Sequence, residues 1–530
     1  EVFDDVRLVG TPPENIGKFG GETDNWVWPR HNPDFSMFRI YANKDNKPAP
    51  YDPSNKPYKP AHYFPISLKG YQKGDFTMVY GFPGRTQEYL PSIAVEQIVK
   101  EINPRRTALR EKRLNIYEKD MALNDTIRLM YASRYAGIAN AYKKWTGEMI
   151  GLQKYNAIEK KNSFEKSFMD LFKNNPEKLK ENKTLFTEIE NAYNDYSEKN
   201  RIIDYYYECL MGIDIFRYIN SFSSLFAEYK LKSEGKENKL EEKLNAFSKS
   251  IPFKNYRKET DIKLCEVMLA AYFDEVEETK RVPYLNQLYK AHNGNIKSLT
   301  KDLYDKSVFV DEEKMREVLK NFENKAVMYQ DDPFYKLYAE ISKHYAALMP
   351  SYNAIRLKIE DLQKVYMAAL KDNVKTKQFY PDANGTLRVA YGKVNNYTPK
   401  DGVEYNFYTT IDGMVEKHAT GNPDYEVQDR LIELYNKKDF GQYLDKDGTL
   451  HVSFIASNHT TGGNSGSPVL NANGELIGTN YDRNWEGTMS DVMYDPNMCR
   501  NISLDVRFTL WVIDKYAGAG YLLNEMKLIK

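Results

Sequence analysis

One short segment concentrates residues suited to nucleophilic chemistry, TTGGNSGSPVLNANGELIGTNYD (460–482). A serine hydroxyl is a weak nucleophile. It must stand exposed beside a base, with backbone N–H groups aimed at the oxyanion that develops on attack. Gly462, Gly463 and Gly466 surround Ser465 and let the backbone curl without side-chain clash. Pro468 opens an apolar strand, and Asn473-Gly474 predicts a tight hairpin turn after it. A Gly/Ser-rich hairpin loop without chemistry is the alternative. A second candidate, Asp34, stands at the head of the alternating run DFSMFRIYA. Taken alone, an aspartate at a strand start is more often a turn residue.

The elements that must position these residues fall into three stretches. Residues 1–91 read as β-rich. In DFSMFRIYA (34–42) Phe38 and Ile40 share one face, and Arg39 and Tyr41 share the other. DFTMVYGFPG (75–84) reads as a strand ended by Gly-Phe-Pro-Gly. Over 92–385 glycine and proline thin out and apolar residues recur at helical spacing, as in Leu185, Ile189, Ala192 and Tyr196. Such a stripe is core packing, and KSEGKENKLEEK (232–243) is a solvated turn between helices. Over 386–530 short strands return: GTLRVAYGKV (385–394), VEYNFYTT (403–410), TLHVSFIA (449–456) and GSPVL (466–470). One helix, EVQDRLIELYNKK (426–438), interrupts them. The order is β, a long helical insertion, then β.

The pattern G-N-S-G-S-P resembles the nucleophile loop of chymotrypsin-like peptidases, in which the triad runs His, Asp, Ser along the chain. That likeness gives the oxyanion hole to the amides of Gly463 and Ser465, and asks for an Asp upstream. GGETDNWVWPRHNPDFSMFRIYA (20–42), KGDFTMVYGFPGRTQEYLPS (73–92), GIANAYKKW (137–145) and the Ser465 segment together resemble the bacterial serine dipeptidyl-peptidases. This is peptidase family S46, which includes dipeptidyl-peptidases 7 and 11. The matches follow the family's order across nearly the whole chain. The resemblance implies an α+β protein: a chymotrypsin-like double β-barrel, its first barrel incomplete here, with a large all-α domain inserted as a cap. It implies release of dipeptides from the free N-terminus of oligopeptides, with Asp34 as the triad aspartate. It also implies an anchor for the substrate's ammonium group from Asn25, Trp26, Asn140 and Asp482. Without it, Asn140 reads as a helix hydrogen bond and Asp482 as a turn or surface ion pair. Arg483 takes the place of a glycine in the dipeptidyl-peptidase 7-like members, where the pocket for the residue before the scissile bond is open and apolar. An arginine resembles dipeptidyl-peptidase 11. Its planar fork can grip Asp or Glu, and left unpaired it rejects apolar residues. A surface arginine is the alternative, and with it a dipeptidyl-peptidase 7-like preference.

The base is where this sequence departs from the family. None of the seven histidines, His31, His62, His292, His344, His418, His451 and His459, stands at a strand end before the aspartate. His31 lies three residues from Asp34, too close to bridge it to a distant serine. His459 precedes Ser465 by six residues, but Ser465 leads into a strand, whereas subtilisin's serine starts a helix. His459 therefore reads as a structural loop residue. The expectation is a further N-terminal segment, on the order of 100–200 residues, that carries the rest of the first barrel, the histidine and any export signal. Alone, the chain is expected to be inactive or nearly so.

Composition narrows the rest. The chain's 530 residues are too many for one ordinary domain, and 41% hydrophobic with 28% charged residues is globular. Basic and acidic residues balance at 75 each, giving no support for a nucleic-acid partner. No apolar run is long enough to span a bilayer. Cys209, Cys265 and Cys499 match no metal spacing, and buried free thiols are favoured over a disulfide. No metal or organic cofactor is implied. Oligopeptides are the expected partners, the oligomeric state stays open with a homodimer included, and a periplasmic or cell-surface location follows from the resemblance alone. A glutamyl endopeptidase and a non-catalytic peptide-binding protein are the competing functions.

Overall fold

The computed structural model describes residues 1–249 and 255–530. Fourteen strands occur among them. β1 (Val6–Gly10), β2 (Met37–Ala42), β3 (Lys56–Pro57), β4 (Ile66–Ser67) and β5 (Phe76–Gly81) precede the long helical stretch. β6 (Arg388–Lys393), β7 (Tyr397–Lys400), β8 (Val403–Tyr405), β9 (Tyr408–Thr410), β10 (His451–Ala456), β11 (Ser467–Leu470), β12 (Leu476–Arg483), β13 (Asn501–Asp505) and β14 (Leu528–Ile529) follow it. The chain divides into two compact units.

The β unit comprises 1–90, 143–157 and 379–530. Its principal sheet runs β6-β5-β11-β12-β13-β10-β9, with β4 pairing β12 and β14. A bridge between Val394 and Ala456 joins the end of β6 back toward β10, so the sheet curls on itself. Tyr71, Val79, Val394, Phe454, Val469 and Ile477 fill its interior. On another side Ile16 and Phe19 pack with Leu431, Val452, Phe508 and Trp511. Leu431 is the inward residue of the helix Asp429–Asn436, which falls inside the predicted 426–438. A separate sheet, β1-β2-β3, carries the alternation read in 34–42. Its apolar face is the open one: Val6 pairs Ile40 and Leu8 pairs Phe38, and all four are exposed.

The helical unit comprises 91–142 and 158–378. The expected stripe lies on the helix Pro176–Tyr205, where Leu185, Ile189 and Ala192 are buried and Tyr196 stacks on Tyr352. Leu210, Phe216, Phe222, Met268, Leu303 and Phe334 belong to its main core. The helix Asp125–Lys154 begins in this unit, and its last turns, from Lys143, count with the β unit. Those turns fall inside the stretch that the sequence assigned to helix alone.

All three cysteines are free and buried, and burial pushes each thiol up, Cys499 to about 12. Among the described residues no helix is long and apolar enough to cross a membrane.

Candidate active site

The loop between β10 and β11 presents Ser465. Thr461 N–H donates to Asn464 Oδ1 (3.0 Å), Asn464 N–H to Thr461 O (3.0 Å) and Ser467 N–H to Asn464 O (3.0 Å). Asn464 is buried and ties the loop together, with Asn480 Nδ2 donating to its carbonyl (3.2 Å). Gly84 N–H donates to Gly462 O (2.6 Å), and Gly466 N–H to Asn480 O (2.8 Å). The amides of Gly463 and Ser465 have no such partner among the described residues. Gly463 sits at φ +103°, and a Cβ there would lie 2.4 Å from the Phe82 carbonyl oxygen. Only glycine fits.

Ser465 is exposed, and its hydroxyl donates to the Tyr481 carbonyl (3.2 Å). Tyr481 lies where the β12–β13 register shifts, between the pairs Asn480–Ser503 and Asp482–Ile502. This bulge is a device that re-aims the residues after it, here Asp482 and Arg483. β11 and β12 pair antiparallel through a hairpin turn that contains Asn473-Gly474, as expected. The turn is a five-residue loop in which Asn471 Oδ1 accepts from the amides of Asn473 and Glu475. Gly474 takes φ +74° and Asn473 does not go left-handed, so a primed two-residue turn is excluded.

Asp482 is half-buried, close to Trp26 as the resemblance implies, and Arg30 is its unexpected partner. Its Oδ2 accepts from Arg30 Nη1 (2.8 Å) and Trp26 N–H (3.2 Å), and its Oδ1 from Arg483 N–H (2.9 Å). Trp26 holds φ +66°, a left-handed backbone unusual for so large a residue. Asn25 Nδ2 donates to Glu22 Oε2 (3.2 Å), and burial raises the Glu22 carboxyl above its ordinary value. Asn140 lies in the helical unit and is exposed.

Arg483 does not stand unpaired. Its Nη1 and Nη2 donate to the two oxygens of Asp491 (2.6 and 2.8 Å), and Nη1 also reaches Ser490 Oγ (2.7 Å) and Thr460 O (3.3 Å). Its guanidinium lies 5.5 Å from the Trp26 ring centroid. Lys144 Nζ approaches Asp491 Oδ2 (3.1 Å) and Glu148 Oε1 (2.8 Å). The Arg483 charge, above all, holds the Asp491 carboxyl far below the usual carboxylate range against the cost of burial.

Asp34 precedes β2, is exposed as a residue, and accepts no hydrogen bond from any described residue. Its carboxyl is nevertheless raised, because neighbouring atoms desolvate it more than Arg30 and Lys18 favour the anion. Among the described residues no histidine hydrogen bonds to Ser465 or Asp34. His31 is buried, with its pKa lowered to about 3 by that burial and by Lys417. His459 Nε2 meets the Ser490 carbonyl (2.8 Å), and its ring stacks on Tyr494. His451 packs under Tyr408 beside Asp447 (3.2 Å).

Asp445, Asp447 and His451 are close enough together to suggest a cation site. Arg507 Nη1 already donates to Asp445 (2.5 Å), and Tyr408 and Thr449 donate to Asp447 (3.0 and 2.7 Å). A guanidinium supplies the positive charge there.

Compared with known proteins, the chain matches the family model for peptidase S46 over residues 1–528. It is 44% identical over 534 residues to an Asp/Glu-specific dipeptidyl-peptidase of Flavobacterium psychrophilum, covering 100% of this chain and 73% of that protein. It is 36% identical over 542 residues to dipeptidyl-peptidase 7 of Phocaeicola vulgatus, covering 100% and 73%. The crystal structure of Porphyromonas endodontalis DPP11 in complex with the dipeptide Arg-Glu superposes with a TM-score of 0.87 at 32% identity, covering 100% of this chain and 75% of that one. The resemblance drawn from the sequence motifs is borne out, and this chain belongs to the peptidase S46 family.

Proposed function

We propose that this chain carries the nucleophile of a serine dipeptidyl-peptidase that cuts after Asp or Glu. The observation that carries the reading is the Ser465 loop: an exposed hydroxyl beside two unpartnered amides, on a bend that only glycine can make. A base removes the Ser465 proton as Oγ attacks the scissile carbonyl. The amides of Gly463 and Ser465 stabilise the oxyanion, and the imidazolium returns the proton to the leaving amine. Water then hydrolyses the acyl-enzyme and frees the dipeptide. Asp34 orients the base, and its raised, unpartnered carboxyl suits a role as acceptor for an imidazole N–H.

The histidine comes from polypeptide outside these 530 residues. Two observations support this. The Ser465 hydroxyl bonds to the Tyr481 carbonyl and to no histidine among the described residues, and His451 and His459 are bonded to other groups while His31 is buried. The open face of β1 and β2, with Val6, Leu8, Phe38 and Ile40 exposed together, is the kind of surface that further protein covers. In this reading β1-β3 belong to a first barrel and the curled sheet to a second, with the helical unit inserted as a cap. The substrate ammonium is held near Asn25, Trp26 and Asp482. Arg30 already balances the Asp482 charge, so oriented acceptor oxygens contribute alongside net charge.

Arg483 supplies the acidic preference, in keeping with the Asp/Glu-specific relatives. Its engagement with Asp491 favours one competing reading, in which Arg483 is structural and the pocket takes apolar residues as in proteins named dipeptidyl-peptidase 7. Arg483→Gly separates the two. Cleavage after Glu is lost and cleavage after an apolar residue retained if Arg483 reads the substrate acid. Unchanged turnover of the acidic substrate refutes that role.

A further inference from the structure

Arginine has five N–H donors in a rigid plane, arranged as two edges that can each grip a carboxylate with two parallel bonds. The end-on edge pairs Nη1 with Nη2, and the side-on edge pairs Nε with the second Nη2 hydrogen. In Arg483 the end-on edge is taken by Asp491 (2.6 and 2.8 Å), and the remaining Nη1 hydrogen by Ser490 and Thr460. The side-on edge is different: Nε is buried and has no hydrogen-bond partner among the described residues. Arg483 is 5% exposed, so an empty donor there carries a desolvation cost that a ligand would relieve.

Asp491 is itself firmly held. Lys144 sits 3.1 Å from the same oxygen that Nη2 contacts, and the Asp491 carbonyl accepts from Gln87 N–H (2.6 Å). Lys144 is shared between Asp491 and the buried Glu148 (2.8 Å), so the four charged groups balance and the preference for an incoming acid rests on the empty donor edge of Arg483 rather than on net charge.

We propose that Asp491 is a positioning residue for substrate specificity. It fixes Arg483 end-on, so that the side-on edge, Nε–H and Nη2–H, is what meets the carboxylate of the residue before the scissile bond. Lys144 is the compensating cation. This rests on the reading of Arg483 as the contact for that acid. It adds that the specificity belongs to the triad Lys144–Asp491–Arg483, and that Asp491 supports the substrate acid and does not compete with it.

The test is calorimetric titration of the 530-residue protein with the dipeptides Arg-Glu and Arg-Gln, which differ only in the charged group. The wild type should prefer Arg-Glu by at least about tenfold, the scale of one charge-assisted hydrogen bond. Asp491→Asn should bring that ratio close to one while leaving Arg-Gln affinity within about threefold. Asp491→Glu should restore part of it, and Lys144→Met should lower it. A role in folding alone would move both dipeptides together and leave the ratio intact. An unchanged ratio in Asp491→Asn overturns the proposal, and an increased one does too, since it makes Asp491 a competitor. If Asp491→Asn does not fold, Lys144→Met carries the test, and no change in its ratio is the overturning result. Arg483→Gly separates the two levels. Loss of the ratio in Arg483→Gly with none in Asp491→Asn sinks the positioning role alone. A ratio that survives Arg483→Gly sinks the reading beneath it.

Discussion

Gly463→Ala should damage this protein far more than Gly462→Ala, one residue away. At 463 the backbone lies at φ +103°, and the new Cβ would sit 2.4 Å from the Phe82 carbonyl oxygen and 2.9 Å from Gly84 N. Both neighbours are backbone, and Gly84 N–H is the donor that anchors the loop at Gly462 O. Holding alanine in that conformation costs about 1–3 kcal/mol. Overpacking against immobile backbone adds about 1–3 kcal/mol, and a weakened Gly84 bond about 1 kcal/mol. Together these come to about 3–7 kcal/mol. At about 2–4 °C per kcal/mol for a unit of ~250 residues, the calorimetric transition should fall by roughly 6–28 °C. At Gly462 no atom lies within 4 Å of the added carbon. That variant should unfold within about 2 °C of the wild type, as an unstrained surface change does. Scanning calorimetry on both proteins decides the matter. Equal transition temperatures would refute the claim that the Ser465 bend depends on a glycine pressed against the Phe82–Gly84 backbone.

Other consequences concern the groups around the site. Arg30 and Asp482 form an ion pair with side chains 8% and 9% exposed. Arg30→Met strands the Asp482 carboxylate and should cost about 3–5 kcal/mol in urea unfolding, with Arg30→Met/Asp482→Asn recovering much of it; a single variant within 1 kcal/mol of wild type contradicts this. His31 is neutral in the folded protein because its pKa falls from 6.5 to about 3. The unfolded chain binds that proton first as pH drops, so stability is lost between about pH 6.5 and about pH 3. From pH 7 to pH 5 this amounts to about 2 kcal/mol at about 1.4 kcal/mol per tenfold change in proton affinity. His31→Gln should flatten the pH dependence of the unfolding midpoint by that amount, and an unaltered slope would count against a buried neutral imidazole.

Much of the fold was legible because local pattern reports local structure. The short runs bounded by turn residues at 75–81, 388–393 and 451–456 mark strands that exist, and the stripe from Leu185 marks a helix face that is buried. Alternation tells that a strand has two faces but not which one is covered. In β2 the apolar pair Phe38 and Ile40 is the open side, a fact fixed by what packs there. In β13 the residues Asn501, Ile502, Ser503, Leu504 and Asp505 alternate polar and apolar, yet both faces are buried, so the polar face that alternation assigns to solvent is instead packed inside the sheet. At the site, the glycines around Ser465 announced the bend, since glycine is what such backbone requires. Arg30, Lys144 and Asp491 did not announce themselves. Arg30 meets Asp482 across 452 positions of sequence, and Asp491 looks like any other acid until Arg483 and Lys144 close on it. The Tyr481 bulge is equally silent, being a register shift against β13 with no residue type of its own.

The central claim is that the Ser465 hydroxyl is the activated nucleophile. A fluorophosphonate probe tests it, applied to a protein that includes the proposed histidine-bearing segment and read by tandem mass spectrometry. One adduct is expected, on Ser465, absent from Ser465→Ala and strongly reduced when Asp34 is replaced by Asn. An adduct on a different residue, or an active enzyme whose Ser465 stays unmodified, would contradict it.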